Sequence, residues 1–435
     1  MFEQSFCSSP WFHARLTYNG DFQECRWFKN DQPGQNVRNT SLLEFYNSDR
    51  MRELRTGLLN GQQPAGCQDC YYEDSFGKIS GRQRQLHKSG IKETDFVRTI
   101  RSSPHYQYFD YSNNNQGLAN YAATDLQIDL GNTCNSACIM CDPVSSSRLQ
   151  QEYKTLHKIN SSLFQNPVEF ESWTRDPAVL DRFVNELIGI PDLKYIHFLG
   201  GETLYDPAFY SICERLIAAG VAKNIIVGTT TNGTIYDNRI ESLIKEFKEF
   251  HLGISIETVT PLNNYIRYPG NIDQILANID QFLALRDQAK LAISLRITPN
   301  IFTVYELDQL FEYMIKHQVI AESCNILSSP ECLRIELLSH DLRQIVVGKL
   351  DSIIEKYNLQ KTAVGNIRRT DLVPDVIANL VVDYRNFVAT YRKPGDADVH
   401  RTHLIKFLQA FEKSRGNSIL DYAPDYEKFL RHYGY

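Results

Sequence analysis

The chain has 435 residues, with 46 Lys plus Arg against 52 Asp plus Glu and a net charge of −6. Its 42% hydrophobic and 23% charged content is globular. That excludes a disordered chain, and the acidic balance excludes nucleic-acid binding driven by overall charge. The length suits two or three domains. No run of about 18 or more apolar residues is present to span a membrane. The start, MFEQSFCSSPWFHARL, lacks the basic segment and apolar stretch of a signal peptide. We therefore expect a cytoplasmic protein with no membrane partner. Structural disulfides are rare in that compartment, so ten cysteines point to metal or catalysis.

In chain order, WFHARLTYNGDFQECRWF predicts a hairpin, with Asn19-Gly20 between two β-prone runs. Thr40-Ser41 opens an amphipathic helix with apolar residues at 42, 43, 45, 46, 51, 54 and 58, which Asn60-Gly61 ends. GCQDC follows, then the polar stretch GKISGRQRQLHKSG. Residues 91–122 read as a linker and packing segment, with SNNNQG its most loop-like part.

From residue 123, short apolar runs alternate with helical stretches. The runs are 125–130, 194–200, 224–230, 251–257, 291–297 and 322–327. Six strands with five intervening helices predict a parallel sheet with crossover connections, whose chemistry gathers at the carboxyl ends of the strands. Residues 143–180 are a long insertion after the first strand, and 331–435 read as helical and rich in late aromatics. The expected division is 1–90, a linker over 91–122, an α/β barrel-like domain over 123–330, and a helical extension over 331–435.

Cys134, Cys138 and Cys141 directly follow the first predicted strand. Three thiolates in eight residues suit three irons of a [4Fe–4S] cube and leave the fourth open to a ligand. The alternative is zinc with a remote fourth ligand. Zinc sites more often use paired C-x-x-C or C/H spacing.

CNSACIMC resembles the C-x3-C-x2-C signature of radical S-adenosylmethionine (SAM) enzymes. Four further segments fall in that family's order. FLGGETL (198–204) is similar to its GGE motif, which implies that Gly200, Gly201 and Glu202 meet the SAM amino group. TTTNG (229–233) resembles its TNG and marks Asn232. GISIETV (253–259) resembles its SID-type motif near the SAM ribose and carboxylate, with Ser255, and with Glu257 where Asp is usual. YIRYPGNIDQILANI resembles the segment whose Arg, here Arg267, reaches the SAM carboxylate. LRITPN (295–300) matches the fifth strand loosely. Taken alone, Gly-Gly-Glu is usually a turn and Thr-Asn-Gly a loop; their shared place at strand ends carries the reading. The resemblance implies a partial (β/α)6 TIM-type barrel that binds SAM and a [4Fe–4S] cluster. It also implies one-electron cleavage of SAM to methionine and a 5′-deoxyadenosyl radical, which then abstracts hydrogen.

Cys7, Cys25, Cys67 and Cys70 make a second group. Four cysteines suit a fully ligated auxiliary [4Fe–4S] cluster or a zinc knuckle, and ligand type alone does not choose between them. The order of cysteine, aromatic strand, Asn-Gly, cysteine, NVRNTSLLEFYNSDRMRELRTGLLNGQQPAGCQDC resembles the SPASM/twitch auxiliary-cluster domain. Here it precedes the barrel rather than following it.

Of Cys213, Cys324 and Cys332, the last lies beyond the sixth predicted strand. A thiol there could give a hydrogen atom to a substrate radical, although a buried inert cysteine is the commoner role. RQRQLHK (82–88) would suit an acidic peptide or an RNA backbone; such runs are more often solvated faces, and the net charge disfavours RNA. The resemblance implies modification of a peptide or precursor protein: epimerisation, cross-linking or backbone excision. It also implies an external electron donor such as flavodoxin or ferredoxin. With no winged-helix module evident, leader recognition would fall to a separate protein. The alternatives are radical chemistry on a small molecule, sugar or tRNA, and a non-catalytic iron–sulfur or zinc protein.

Overall fold

The computed structural model describes residues 5–29, 34–75, 79–92, 95–121, 123–286, 288–321, 325–361, 373–391 and 394–435. One sheet of eight strands organises the described residues, in the order β2-β1-β3-β4-β5-β6-β7-β8. The strands are β1 (His13–Leu16), β2 (Phe22–Gln23), β3 (Asp125–Asp129), β4 (Tyr195–Leu199), β5 (Ile226–Thr231), β6 (Glu249–Ser255), β7 (Leu291–Arg296) and β8 (Ile320–Ala321). β3 to β8 run parallel, each joined to the next through helices, as the alternating runs predict. The sheet stays open, with β2 and β8 as its edges.

Two differences from the sequence reading concern strands. The hairpin forms around Gly20, at φ +93°, and β1 also pairs in parallel with β3, His13 opposite Asp125 through Leu16 opposite Ile128. The N-terminal segment therefore extends the barrel sheet. The sixth strand is two residues long at Ile320–Ala321, earlier than the predicted 322–327; residues 322–324, with Cys324, lie outside the described residues, and 325–327 are not strand.

Alternation along the strands gives the sheet two unlike faces. Leu126, Ile128, Ile196, Phe198, Val227, Phe250, Leu252, Ile254, Ile293 and Leu295 are buried under the helices. Each such side chain contributes about 1.5–3 kcal/mol relative to exposure. The other face is polar and part-exposed: Asp125, Tyr195, His197, Thr230, His251, Ser255 and Arg296 line it. Three of the helices over the apolar face start on aspartate caps. Asp176 accepts from the Ala178 and Val179 amides, Asp206 from Ala208, and Asp237 from Arg239 and Ile240.

The predicted helix over 41–59 is two helices, Leu42–Tyr46 and Asp49–Leu59, because Ser41 and Ser48 each cap one. Residues 91–122 carry helices Phe96–Ser102 and Tyr106–Asn114, pinned by rings of Phe6, Trp11, Phe96 and Phe109. The C-terminal extension is helical as predicted, over His340–Lys356, Val373–Thr390, Ala397–Arg415 and Glu427–His432. Among the described residues no helix is long and apolar enough to cross a membrane.

Candidate functional site

Cys134, Cys138 and Cys141 lie in the loop that leaves the carboxyl end of β3. Backbone bonds knit this loop to its neighbours. The Gly201 amide donates to Gly131 O at 2.9 Å and the Glu202 amide to Thr133 O at 2.8 Å. A Cβ on Gly201 would stand 2.5 Å from Thr133 O and 2.6 Å from Asn132 O, so only glycine lets the end of β4 approach the cysteine loop this closely. On the other side the Ala137 amide donates to Tyr268 O at 2.5 Å and the Ile139 amide to Ile266 O at 2.9 Å. Ser146 and Ser147 close the loop from below, through bonds to Ser136 O and from the Cys134 amide.

Glu202 is buried at the end of β4. It accepts from the Leu204 amide (3.1 Å), the Thr231 hydroxyl (2.6 Å) and the Asn232 amide (2.5 Å). Burial pushes its carboxyl up to about 7, against those bonds. Asn232, after β5, donates to Asn135 Oδ1 (2.7 Å) and Ser136 Oγ (2.9 Å), both inside the cysteine loop. Thus the GGE and TNG segments both bond to the loop that carries the cysteines. Ser255 ends β6 on the polar face, opposite Arg296. Arg267 donates to Glu257 Oε1 and lies 3.9 Å from Cys138 Sγ, and its buried Nε has no partner among the described residues. Burial opposes its charge, but Glu257 and then Cys138 raise its pKa. Glu257 is fully buried, with Thr298 donating to its second oxygen at 2.8 Å. This sets Glu257 behind Arg267, as its carboxylate partner.

The donor set fits an iron–sulfur cluster. Burial pushes Cys134 up to about 11 and Cys141 up to about 12, and burial also raises Cys138; for Cys141 the neighbouring Cys138 and Cys134 add to the rise. Three clustered thiolates therefore need a compensating cation. The Ser136 amide donates to Cys134 Sγ at 3.4 Å. Such outer bonds orient metal-binding sulfurs. Among the described residues, no three His, Cys, Asp or Glu groups converge tightly enough for a single metal ion.

Cys7, Cys25, Cys67 and Cys70 line one apolar cavity with Trp27, Phe28 and Tyr71. Cys25 comes from the loop after β2, Cys67 from the 3-10 turn Ala65–Cys67 and Cys70 from the helix Gln68–Ser75. A Cβ on Gly66 would meet the Phe28 ring at 2.4 Å, and one on Gly81 the Trp27 ring at 2.6 Å, so the two glycines seat the aromatic walls. Burial pushes Cys25 and Cys67 up to about 12, with neighbouring thiols adding. Four sulfurs around one cavity fit a fully ligated cluster.

The remaining candidates are placed differently. The basic run 82–88 forms a helix whose Arg82 is buried on Asp74 and whose Lys88 meets Asp125 at 3.3 Å. Cys213 is fully buried in its helix. Cys332 is 8% exposed in the turn Glu331–Leu333, which packs against the Ala397–Arg415 helix, and burial pushes its thiol up to about 12. Arg415 was not legible beforehand: a basic residue near the end of a polar helix, it donates to Ala137 O at 2.6 Å, inside the cysteine loop.

Two structures from other proteins resemble the fold at low similarity. The first is native anSMEcpe with bound AdoMet, at 15% identity and TM-score 0.36, covering 54% of this chain and 60% of that one. The second is Streptococcus suis SuiB bound to S-adenosylmethionine, at 14% identity and TM-score 0.35, covering 79% and 69%. This chain thus spans about 60% of the length of the first. No curated protein matches the chain. Residues 128–293 match the radical SAM superfamily, and residues 7–71 match the SPASM iron–sulfur cluster-binding domain. Residues 128–293 are thus a radical SAM domain and residues 7–71 a SPASM domain, and SAM and iron–sulfur clusters are the cofactors of those two domains.

Proposed function

We propose that this protein is a radical SAM enzyme that modifies a peptide or protein, in maturation of a ribosomally made precursor. The observation that carries the reading is the polar, part-exposed face of an open sheet to which both cysteine-bearing segments belong. β1, from the N-terminal domain, pairs in register with β3, whose end carries the SAM-site cysteines. A face open at both sheet edges accepts an extended chain, whereas a closed chamber would favour a small molecule.

In this reading Cys134, Cys138 and Cys141 hold a [4Fe–4S] cluster, and Cys7, Cys25, Cys67 and Cys70 hold the auxiliary one. When bound, the first supplies the single electron that cleaves SAM to a 5′-deoxyadenosyl radical. The chain's residues bind and orient. Glu202 accepts from the SAM ammonium in a charge-assisted bond, and Gly200 and Gly201 let the end of β4 pack closely on the cysteine loop that carries the cluster. Asn232 fixes the cysteine loop against β5. Ser255 faces the ribose and carboxylate side, and Arg267, held by Glu257, offers its free Nε to the carboxylate. Cys332, a protonated thiol, serves as a hydrogen donor only if substrate reaches it beneath the C-terminal helix. The protein works in the cytoplasm, with an external flavodoxin- or ferredoxin-type donor and a separate leader-recognition protein.

The test is anaerobic reconstitution followed by assays of SAM cleavage and peptide mass. Cys138→Ala is expected to lose SAM cleavage. Cys67→Ala is expected to keep cleavage and lose the modified peptide. Cleavage coupled to a small molecule or tRNA instead, with no peptide change, would overturn the peptide assignment.

A further inference from the structure

The Ala397–Arg415 helix of the C-terminal extension ends against the SAM-site cysteine loop, and its last residue is buried there. The Arg415 side chain is 1% exposed. Its Nε and Nη2 donate to both oxygens of Glu152, at 2.8 and 2.7 Å. Nη2 also donates to Ala137 O at 2.6 Å. Ala137 stands between Cys134 and Cys138, and its amide is already held by Tyr268 O. The guanidinium lies between the rings of Tyr268 and Phe411, 4.4 Å from each centroid. One nitrogen is left over: Nη1 is buried and has no hydrogen-bond partner among the described residues. A buried guanidinium nitrogen without an acceptor is costly unless something anionic faces it.

We propose that Arg415 is a positioning residue of the three-cysteine site: it fixes the loop through Ala137 and sets the reduction potential of the cluster held there. This rests on the assignment of Cys134, Cys138 and Cys141 as cluster ligands. Reduction adds one negative charge beside Cys138. A buried guanidinium favours the reduced state, and the cluster potential follows net charge and outer hydrogen bonds. Glu152, bonded to Nε and Nη2, offsets that charge. The C-terminal extension is thereby part of the SAM site rather than an appendage to it.

The two members of the pair make opposite predictions. A one-electron titration of the reconstituted full-length protein, with dithionite and mediators, follows the paramagnetic signal that changes when SAM is added. Arg415→Gln is expected to lower the midpoint by about tenfold in the reduction equilibrium, or ~59 mV for one electron. Glu152→Gln is expected to raise it. Arg415→Lys, which keeps the charge but not the fork, is expected to recover most of the shift. Iron content and thermal melting of each variant report whether the protein folds and loads. Wild-type midpoints in both Arg415→Gln and Glu152→Gln would overturn the proposal, as would shifts of the same sign. If Arg415→Gln fails to load, the Glu152→Gln and Arg415→Lys midpoints decide alone. A wild-type protein with no SAM-responsive signal would instead overturn the cluster assignment beneath it.

Discussion

The two cysteine groups share one sheet but are built from opposite materials. Around Cys134, Cys138 and Cys141 the contacts are polar: Asn135, Ser136, Asn232, Ser146 and Ser147 exchange hydrogen bonds across the loop, and Arg267 stands 3.9 Å from Cys138. Around Cys7, Cys25, Cys67 and Cys70 the wall is Trp27, Phe28 and Tyr71, the first two seated on glycines. The polar shell suits a site where charge changes and a zwitterionic ligand must be recognised. The aromatic shell suits a sealed group that takes no ligand.

The largest effect that sharpens this contrast is expected at Glu202. With Glu202 holding the SAM ammonium as proposed, Glu202→Gln removes a charge-assisted bond worth about 1.5–3 kcal/mol, or about 10–100-fold in SAM affinity. Calorimetric titration of the reconstituted protein reads it, and unchanged affinity would detach the GGE segment from SAM. Next come the glycines. Gly201→Ala drives a Cβ into backbone oxygens and is expected to cost about 1–3 kcal/mol of stability, with weaker SAM binding. Gly66→Ala presses on the Phe28 ring and is expected to cost iron at the four-cysteine site while SAM binding stays intact. Loss of SAM binding in both would erase the distinction.

The pH effect is smaller. Burial holds the Glu202 proton on to about pH 7, and the SAM ammonium favours the carboxylate. SAM affinity is therefore expected to fall by up to about tenfold per unit below pH 7. Glu202→Gln should flatten that dependence. The smallest effect is at Cys332: Cys332→Ala is expected to leave SAM cleavage unchanged and to alter only a product that needs a returned hydrogen atom, read by deuterium uptake from solvent.

Much of this architecture was legible because spacing and period reported it. The loop of three cysteines, the Gly-Gly-Glu at the end of β4 and the Asn232 turn are local, and alternation named the strands that place them. What stayed hidden was long-range. Nothing in HARL signals that β1 pairs with β3 across more than 100 residues, since any β-prone run offers the same backbone groups. Ser48 looks like one more polar position on a helix until its cap bond to the Met51 amide divides it. In the predicted sixth run, residues 325–327 have strand composition but no strand pairing, while β8 pairs with β7 at Ile320 and Ala321. Arg415 is an ordinary basic residue near a helix end, and only the fold brings it to Ala137 and Glu152.

The most direct test of the central claim compares the reconstituted wild type with a variant in which Cys134, Cys138 and Cys141 are all replaced by Ala. Iron content and 5′-deoxyadenosine formation are measured on the same samples. The account predicts about eight irons per chain falling to about four, as expected for two cubes of which one is lost. It also predicts that 5′-deoxyadenosine disappears. Continued 5′-deoxyadenosine formation by the triple variant would contradict it.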